Sequence, residues 1–191
     1  MRVKFDFIKK IVYIFIINNL NYKRWFMLDL DIKRELLFAE TAEEVDILVK
    51  AGADVNGLMG SVFPLALAEN LEVAKALVAN GADVNFTNKK GETAIFYNKN
   101  IAVIKFLISQ GANINHLNND GETALFKTSD IEMIKALIKL GCSPFLKNKN
   151  GDRHDTKIKP ADKEEYQSFM NKLKEMIRNA LEQKKQMLQV A

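Results

Sequence analysis

The chain has 191 residues, of which 48% are hydrophobic and 27% are charged. These values are typical of globular proteins, and they exclude wholesale disorder, a collagen and a membrane bundle. A chain of this length can bury a core without a metal or a disulfide. Its single cysteine, Cys142, can form neither an intrachain bridge nor a cysteine-rich zinc site.

The charge is distributed unevenly. The formal net charge is +4 at pH 7, but residues 1–26 contain six lysines and arginines against Asp6 alone, and residues 147–191 contain eleven against seven acidic residues. Residues 27–146 contain eleven against sixteen, so the centre of the chain is acidic. Binding to a nucleic-acid duplex needs clustered cations that displace counterions. Only the two ends could therefore attract phosphate.

Residues 1–27 form a basic and apolar N-terminal extension. An unbroken apolar run at 11–17 follows four cations, which is the order of a secretory signal. A span of the bilayer takes about 20 residues, and no small-residue cleavage site follows the run. Two other interpretations stay open: a strand or helix that packs on the next segment, or a stretch upstream of a true start at Met27. We expect a cytoplasmic protein, with export as the alternative.

From residue 28 onward, a segment of about 30 residues recurs in tandem. A Gly-Ala-Asp-Val-Asn motif, or a relic of it, stands at residues 52–56, 81–85, 111–115 and 141–145. A second motif, Gly-Glu-Thr-Ala followed by Ile-Phe or Leu-Phe, keeps the same step at 91–96 and 121–126. Two motifs in a fixed phase indicate repeats. The four copies cover about residues 30–60, 61–90, 91–120 and 121–150.

Each copy carries one amphipathic helix, because its apolar residues recur at three- and four-residue steps. A residue whose side-chain oxygen can cap the first turn precedes each helix: Thr41, Asn70, Asn100 and Asp130. Glu44 stands three residues after the first of these, which is the capping-box arrangement. A glycine that can end the helix in a left-handed conformation follows each one: Gly52, Gly81, Gly111 and Gly141.

A shorter helix fits before three of these caps, at residues 64–69, 94–99 and 124–129, and Thr93 and Thr123 lead two of them. Each unit is then helix, turn, helix, glycine and extended loop. This pattern resembles the ankyrin repeat over residues 28–151. The resemblance implies an all-α ankyrin-repeat solenoid of about four helix-turn-helix repeats, with β-hairpin-like loops and a long C-terminal capping helix.

The repeats depart from that family in two ways. They are shorter than its usual length of about 33 residues, and the loss falls in the first helix and its turn. The family's loop-helix histidine is replaced by Ala66, Phe96 and Phe126, so its Thr-His hydrogen bond between units cannot form. We expect apolar packing to replace that bond, with both phenylalanines in the seams between repeats. Arg34 and Glu35 predict a polar-faced start to the array.

Residues 152–191 contain a long charged helix that opens at Pro160. One face of it is apolar and consists of Tyr166, Phe169, Met170, Leu173, Met176, Ile177, Ala180 and Leu181. The helix either caps the fourth repeat, since the ends of repeat arrays need covering, or binds a partner, since its length of about 45 Å exceeds one repeat. We expect a monomer or a weak dimer through this helix.

The residues offer little for catalysis. The two histidines, His116 and His154, and the single cysteine supply no zinc set and no nucleophile paired with a base. A hydrolase built on His154 and Asp155 lacks a nucleophile, and no glycine-rich phosphate loop is present. We therefore expect no catalytic, metal-binding or cofactor-binding residue, no cofactor and no small-molecule substrate.

A binding surface remains. In proteins that resemble this one, loop tips and the exposed sides of the first helices line a concave recognition face. By repeat phase, that face consists of Leu58, Met59, Val62, Thr87, Lys89, Lys90, Glu92, Leu117, Asn119, Asp120 and Glu122. An exposed apolar tip at Leu58 and Met59 indicates docking, whereas a shorter loop that folds inward would bury both side chains.

The sequence thus predicts a non-enzymatic scaffold that binds another protein through its concave loop face. The resemblance implies a function such as that of an immunity protein that blocks a toxin, or of an effector that acts on host proteins. The alternative is a membrane-surface or nucleic-acid associated protein that acts through its basic ends. We expect the partner to be a protein rather than a nucleic acid or a membrane.

The substitution Phe96→Ala tests the predicted seam. It should lower the free energy of unfolding by about 3 to 5 kcal/mol, because it leaves a cavity between repeats. Urea denaturation followed by circular dichroism measures the change. A loss below about 1 kcal/mol would place the ring at the surface instead.

Overall fold

The computed structural model describes the backbone of residues 32–190 and the side chains of residues 32–186. The extension expected at residues 1–27 lies outside the described residues, and so do its three interpretations. The chain divides into two compact units, of which the first ends at Ala112 and the second begins at Asn113. In both units the described elements are helical, so the predicted all-α repeat fold is confirmed.

Unit one holds the first repeats. Its elements are helical residues 32–37, α1 (Ala42–Lys50), α2 (Pro64–Leu67), α3 (Leu71–Ala79), a 3₁₀ turn at Ala94–Phe96 and α4 (Ile101–Ser109). Helix α3 packs against α1 on one side and against α4 on the other. Val45, Leu77 and Ile104 on these three helices are fully buried. The apolar stripe of each helix is therefore covered by the stripe of its neighbour, which is how repeat arrays form a core.

Unit two holds the last repeat and the C-terminal helix. Its elements are a 3₁₀ turn at Ala124–Lys127, α5 (Ile131–Lys139), 3₁₀ turns at His154–Lys157 and Pro160–Asp162, and α6 (Lys163–Val190). Leu125, Ile134 and Leu137 are buried. The turn at Ala124–Lys127 packs against the turn at His154–Lys157, so the segment before α6 continues the stacking of the repeat.

Four equivalent helices begin at the predicted caps. The side-chain oxygens of Thr41, Asn70, Asn100 and Asp130 each accept a backbone N–H from the first turn. In the capping box, the Glu44 carboxylate accepts the N–H of Glu40, one residue before the cap, at 2.9 Å. The Thr41 hydroxyl still accepts the Glu44 N–H at 3.2 Å, so the cap itself is confirmed.

The same four helices end in one recurring turn. At Gly81, whose φ is 92°, the glycine N–H donates to Val78 at 3.0 Å and the Ala82 N–H donates to Leu77 at 2.9 Å. This pair of bonds is the Schellman motif, and it satisfies carbonyls that the helix leaves unpaired. The predicted glycine ends are therefore confirmed, since other residues rarely adopt a φ in this range.

The first helix of a repeat is shorter than predicted. Pro64–Leu67 forms one α-turn, and Ala94–Phe96 and Ala124–Lys127 are single 3₁₀ turns. Thr93 and Thr123 precede these turns, but their side chains do not cap them. A 30-residue repeat leaves no room for a second turn, and a run of three or four residues adopts 3₁₀ geometry readily.

Aromatic rings fill the seams between repeats. Phe96 and Phe126 are both buried, as predicted. In unit two, the rings of Phe126 and His154 meet edge to face at 6.2 Å. In unit one, Phe63 and Phe86 meet in the same way at 5.1 Å. Such contacts supply the apolar packing that the sequence requires in place of the Thr-His bond.

Asparagine side chains connect consecutive repeats. The Asn56 side-chain oxygen accepts the Asp83 N–H at 3.0 Å. The Asn115 oxygen accepts the Ser143 N–H at 2.7 Å, and its amide donates to the Gly141 carbonyl at 3.0 Å. The last residue of one loop therefore fixes the end of the next repeat's helix.

Asn115→Ala should lower the free energy of unfolding by about 1 to 3 kcal/mol, because it removes two hydrogen bonds. Asn115→Asp should also destabilise the chain, since it keeps the acceptor but places a carboxylate against the Gly141 carbonyl. Chemical denaturation measures both changes. Asn150→Ala, at an exposed loop position, is the control; an equal loss there would contradict a specific role for Asn115.

Candidate binding surface on the loops

An asparagine at the start of the second loop organises that loop. The Asn88 side-chain oxygen accepts the N–H groups of Lys90 and Glu92 at 2.9 and 3.1 Å. Its amide donates to the Ser61 carbonyl of the first loop at 2.7 Å. Asn88 is buried. It therefore shapes its own loop and also ties that loop to the preceding one.

The equivalent asparagines of unit two shape their loops in the same way. The Asn118 oxygen accepts the N–H groups of Asp120 and Glu122, both at 2.9 Å. The Asn148 oxygen likewise accepts two loop N–H groups. The Lys149 N–H also donates to the Asp120 carbonyl at 2.9 Å, which joins the two loops. Within each unit, neighbouring loops are thus joined by hydrogen bonds.

The first loop has no such asparagine, because Leu58 stands at that position of the repeat. A two-residue turn closes this loop instead: Met59 and Val62 form an isolated antiparallel bridge, and Gly60 between them has a φ of 67°. Leu58 is 40% exposed, whereas Met59 and Val62 are half-buried. Leu58 is therefore exposed, as the docking interpretation expects. Met59 is partly buried, as the interpretation of an inward-folding loop expects.

Lys89 and Lys90 are exposed on the second loop, and Thr87 is half-buried. Glu92, by contrast, is buried. Glu92 is only 1% exposed, so the prediction that its carboxylate lies on the accessible face is wrong. Its carboxylate folds back onto the Asn88 amide at 3.3 Å and accepts the hydroxyl of Tyr97. Burial, together with this bond and the carboxylate's charge, raises the pKa of Tyr97 to about 12.

The third loop, in unit two, also exposes predicted residues. Leu117 is 47% exposed, and Asn119 and Asp120 are exposed as well. Glu122 is less accessible, because its carboxylate lies 3.2 Å from the Lys157 ammonium and 3.9 Å from that of Lys127.

Sequence reasoning missed the three loop asparagines. They recur at the repeat spacing, at Asn88, Asn118 and Asn148, so the signal was present. However, asparagine is mostly exposed in proteins, so the residue type alone does not predict that it is buried. The same register shows that Leu58 is the exception among four copies.

The base of α6 packs on the fourth repeat. Tyr166 is buried, and its hydroxyl lies 3.1 Å from Nε2 of His154, which is also buried. The Lys135 ammonium of α5 binds Glu165 of α6. Burial lowers the pKa of His154 and raises the pKa of Tyr166 to about 12. His154 is thus an uncharged residue buried at the base of α6.

The far part of α6 is uncovered. Met176, Ile177 and Leu181 are exposed. The first turns of the helix therefore cap the repeat, and the remainder extends beyond it. No helix among residues 32–190 is long and apolar enough to cross a bilayer, and the described side chains contain no group of three potential metal ligands.

Comparison with protein families identifies the repeats. Residues 58–148 match the family model of ankyrin repeats, which consists of three copies. The resemblance drawn from the sequence is confirmed over these residues. Residues 30–57 of the first repeat and the whole of α6 lie outside the match. No curated protein matches the chain.

Acid should weaken the fold through His154. The folded-state pKa of this residue is lowered, so below about pH 6.5 the unfolded chain binds a proton that the folded chain does not. The contribution of His154 to stability should be constant above that pH and fall below it. Urea midpoints at pH 7.5 and pH 5 should differ more in the wild type than in His154→Gln. His116→Gln is the control and should retain the wild-type difference; equal differences in all three proteins would contradict the assignment.

Proposed function

Because the chain carries ankyrin repeats over residues 58–148, and such repeats generally bind other proteins, we propose that it is a non-enzymatic scaffold that binds a protein partner through its loop edge. The observation that carries this proposal is Leu58. At its position in the other repeats, Asn88 and Asn118 are buried anchors, whereas Leu58 is exposed. The first loop has lost the anchor and presents an apolar side chain instead.

The loop holds Leu58 in a defined direction. Gly57 donates its N–H to the Asp54 carbonyl at 2.9 Å, and a Cβ at Gly57 would approach that same oxygen to 2.9 Å. Gly60 closes the turn on the other side. A rigid apolar tip loses little conformational freedom when it docks, which favours binding.

Cations border this tip. Lys89 and Lys90 are exposed on the adjacent loop, which the Asn88–Ser61 bond ties to the first. We call Leu58, Met59, Lys89 and Lys90 the Leu58 patch. Its chemistry suits a partner that offers an apolar side chain beside carboxylates.

Leu117 gives unit two an exposed apolar loop residue of its own, beside the polar Asn119 and Asp120. An immunity protein that blocks a toxin and an effector that acts on host proteins are two forms of the proposed function. They differ in the identity of the partner and not in the kind of surface that binds it.

A partner isolated with the wild-type chain and then purified provides the test. Leu58→Ser should weaken its binding at least about tenfold by calorimetry, because the apolar tip is lost. Ile47→Ser is the matched control, since Ile47 is an exposed apolar residue of α1, away from the loops.

Salt separates this function from the alternative. Binding through the Leu58 patch should persist at high ionic strength, since part of it is apolar. Binding that collapses with salt and survives Leu58→Ser would assign recognition to the basic ends of the chain and contradict the proposal.

A further inference from the structure

The second surface of interest is the uncovered part of α6. Tyr166 and Met170 are buried at its base, but Met176 is 68% exposed and Leu181 is 56% exposed. From Leu173 to the end of the described helix, α6 extends about 27 Å at the standard rise. A cap for one repeat does not need this length.

The exposed apolar residues continue the stripe that is buried at the base. Tyr166, Met170, Leu173, Ile177 and Leu181 follow one another at steps of three and four residues, which places them along one face of a helix. We call Leu173, Met176, Ile177 and Leu181 the distal face. The fourth repeat covers this stripe at one end and leaves it open at the other.

Charges are arranged around the distal face. Lys174, Arg178 and Lys185 follow one another at helical spacing along one border. Glu175 and Glu182, seven residues apart, lie on the opposite side of the helix. The apolar stripe is therefore bordered by cations on one side, and Glu175 and Glu182 lie away from the stripe.

A flat membrane does not suit this face. The buried side chains of Tyr166 and Met170 lie on the same stripe, so the repeat that covers them stands on the side from which a bilayer would approach. An interfacial helix must lay its whole apolar face into the lipid. A single helix, about 10 Å wide, can instead lie along the open end of the stripe.

A second copy of the chain does not suit it either. In an antiparallel pair of α6 helices, the cationic border of one copy lies beside the cationic border of the other. Lys174, Arg178 and Lys185 of both copies would then be close together, and like charges repel. In a parallel pair the two repeat units would occupy the same space, because each covers the base of the stripe. The segment 1–26 of this chain is also basic, so it does not complement the face.

We propose that the distal face binds an amphipathic helix of a partner protein, whose apolar stripe is bordered by aspartate or glutamate. This is a helix-on-helix mode in which apolar anchors supply affinity and the charged borders select the partner. The site is separate from the loop edge and does not rest on the function proposed for it.

Two synthetic helical peptides with the same apolar stripe test this proposal. One has glutamate at both borders and the other has lysine, and fluorescence anisotropy measures their binding to the full chain at physiological salt. The wild type should bind the glutamate peptide about tenfold or more tightly than the lysine peptide, since several border pairs add up. Ile177→Ser combined with Leu181→Ser should abolish binding of both.

Charge reversal makes the test specific. Lys174→Glu with Arg178→Glu and Lys185→Glu should exchange the preference, so that this variant binds the lysine peptide better. Lys99→Glu with Lys105→Glu and Lys139→Glu changes the net charge equally at exposed positions elsewhere and should keep the wild-type preference. Circular dichroism should show that all variants remain folded, because every altered side chain is exposed.

Other outcomes would overturn the proposal. These are an absent or unchanged preference in the reversed variant, and a dimer in sedimentation velocity that Leu181→Ser dissolves. Binding to vesicles of phosphatidylcholine and phosphatidylserine that the reversed variant loses would assign the face to lipid instead.

Discussion

Asn85 and Asn115, each at the end of a loop, donate their side-chain amides to the carbonyl of the helix-ending glycine in the following repeat, Asn85 to Gly111 at 3.1 Å and Asn115 to Gly141 at 3.0 Å. The glycine position is itself fixed, because the turn that closes the helix needs a positive φ. Two residues 26 positions apart are thus held by one bond. Since a single repeat cannot bury its own apolar stripe, this bond helps set the spacing at which neighbouring stripes meet.

Phenylalanine stands where a histidine would pair with the threonine of the repeat, at Phe96 and Phe126. The buried Thr93 hydroxyl has no hydrogen-bond partner, and the Thr123 hydroxyl has only the thiol of Cys142 beside it. Burial raises the pKa of that thiol, so it stays protonated. An unpaired buried hydroxyl costs about 1 to 3 kcal/mol, and the burial of Phe96 and Phe126 offsets such losses.

Features that depend on a few neighbouring residues could be predicted from the sequence. The caps at Asn70 and Asn100 and the glycine ends follow from local chemistry. The position of Phe96 within the repeat was enough to predict that its ring is buried. Glu92 could not be placed, because its burial depends on where the Asn88 amide and the Tyr97 hydroxyl meet after folding. The length of the first helices depends in the same way on packing against the next repeat.

The base of the C-terminal helix caps the fourth repeat, and partner binding by the distal face remains a proposal. Tyr166 and His154 fix its base, and because burial keeps His154 uncharged near neutral pH, that contact carries no buried charge that would loosen it. A base held in this way gives the rest of α6 a fixed direction relative to the fourth repeat. The distal face is then presented rigidly, and a partner helix that binds it need not order it first.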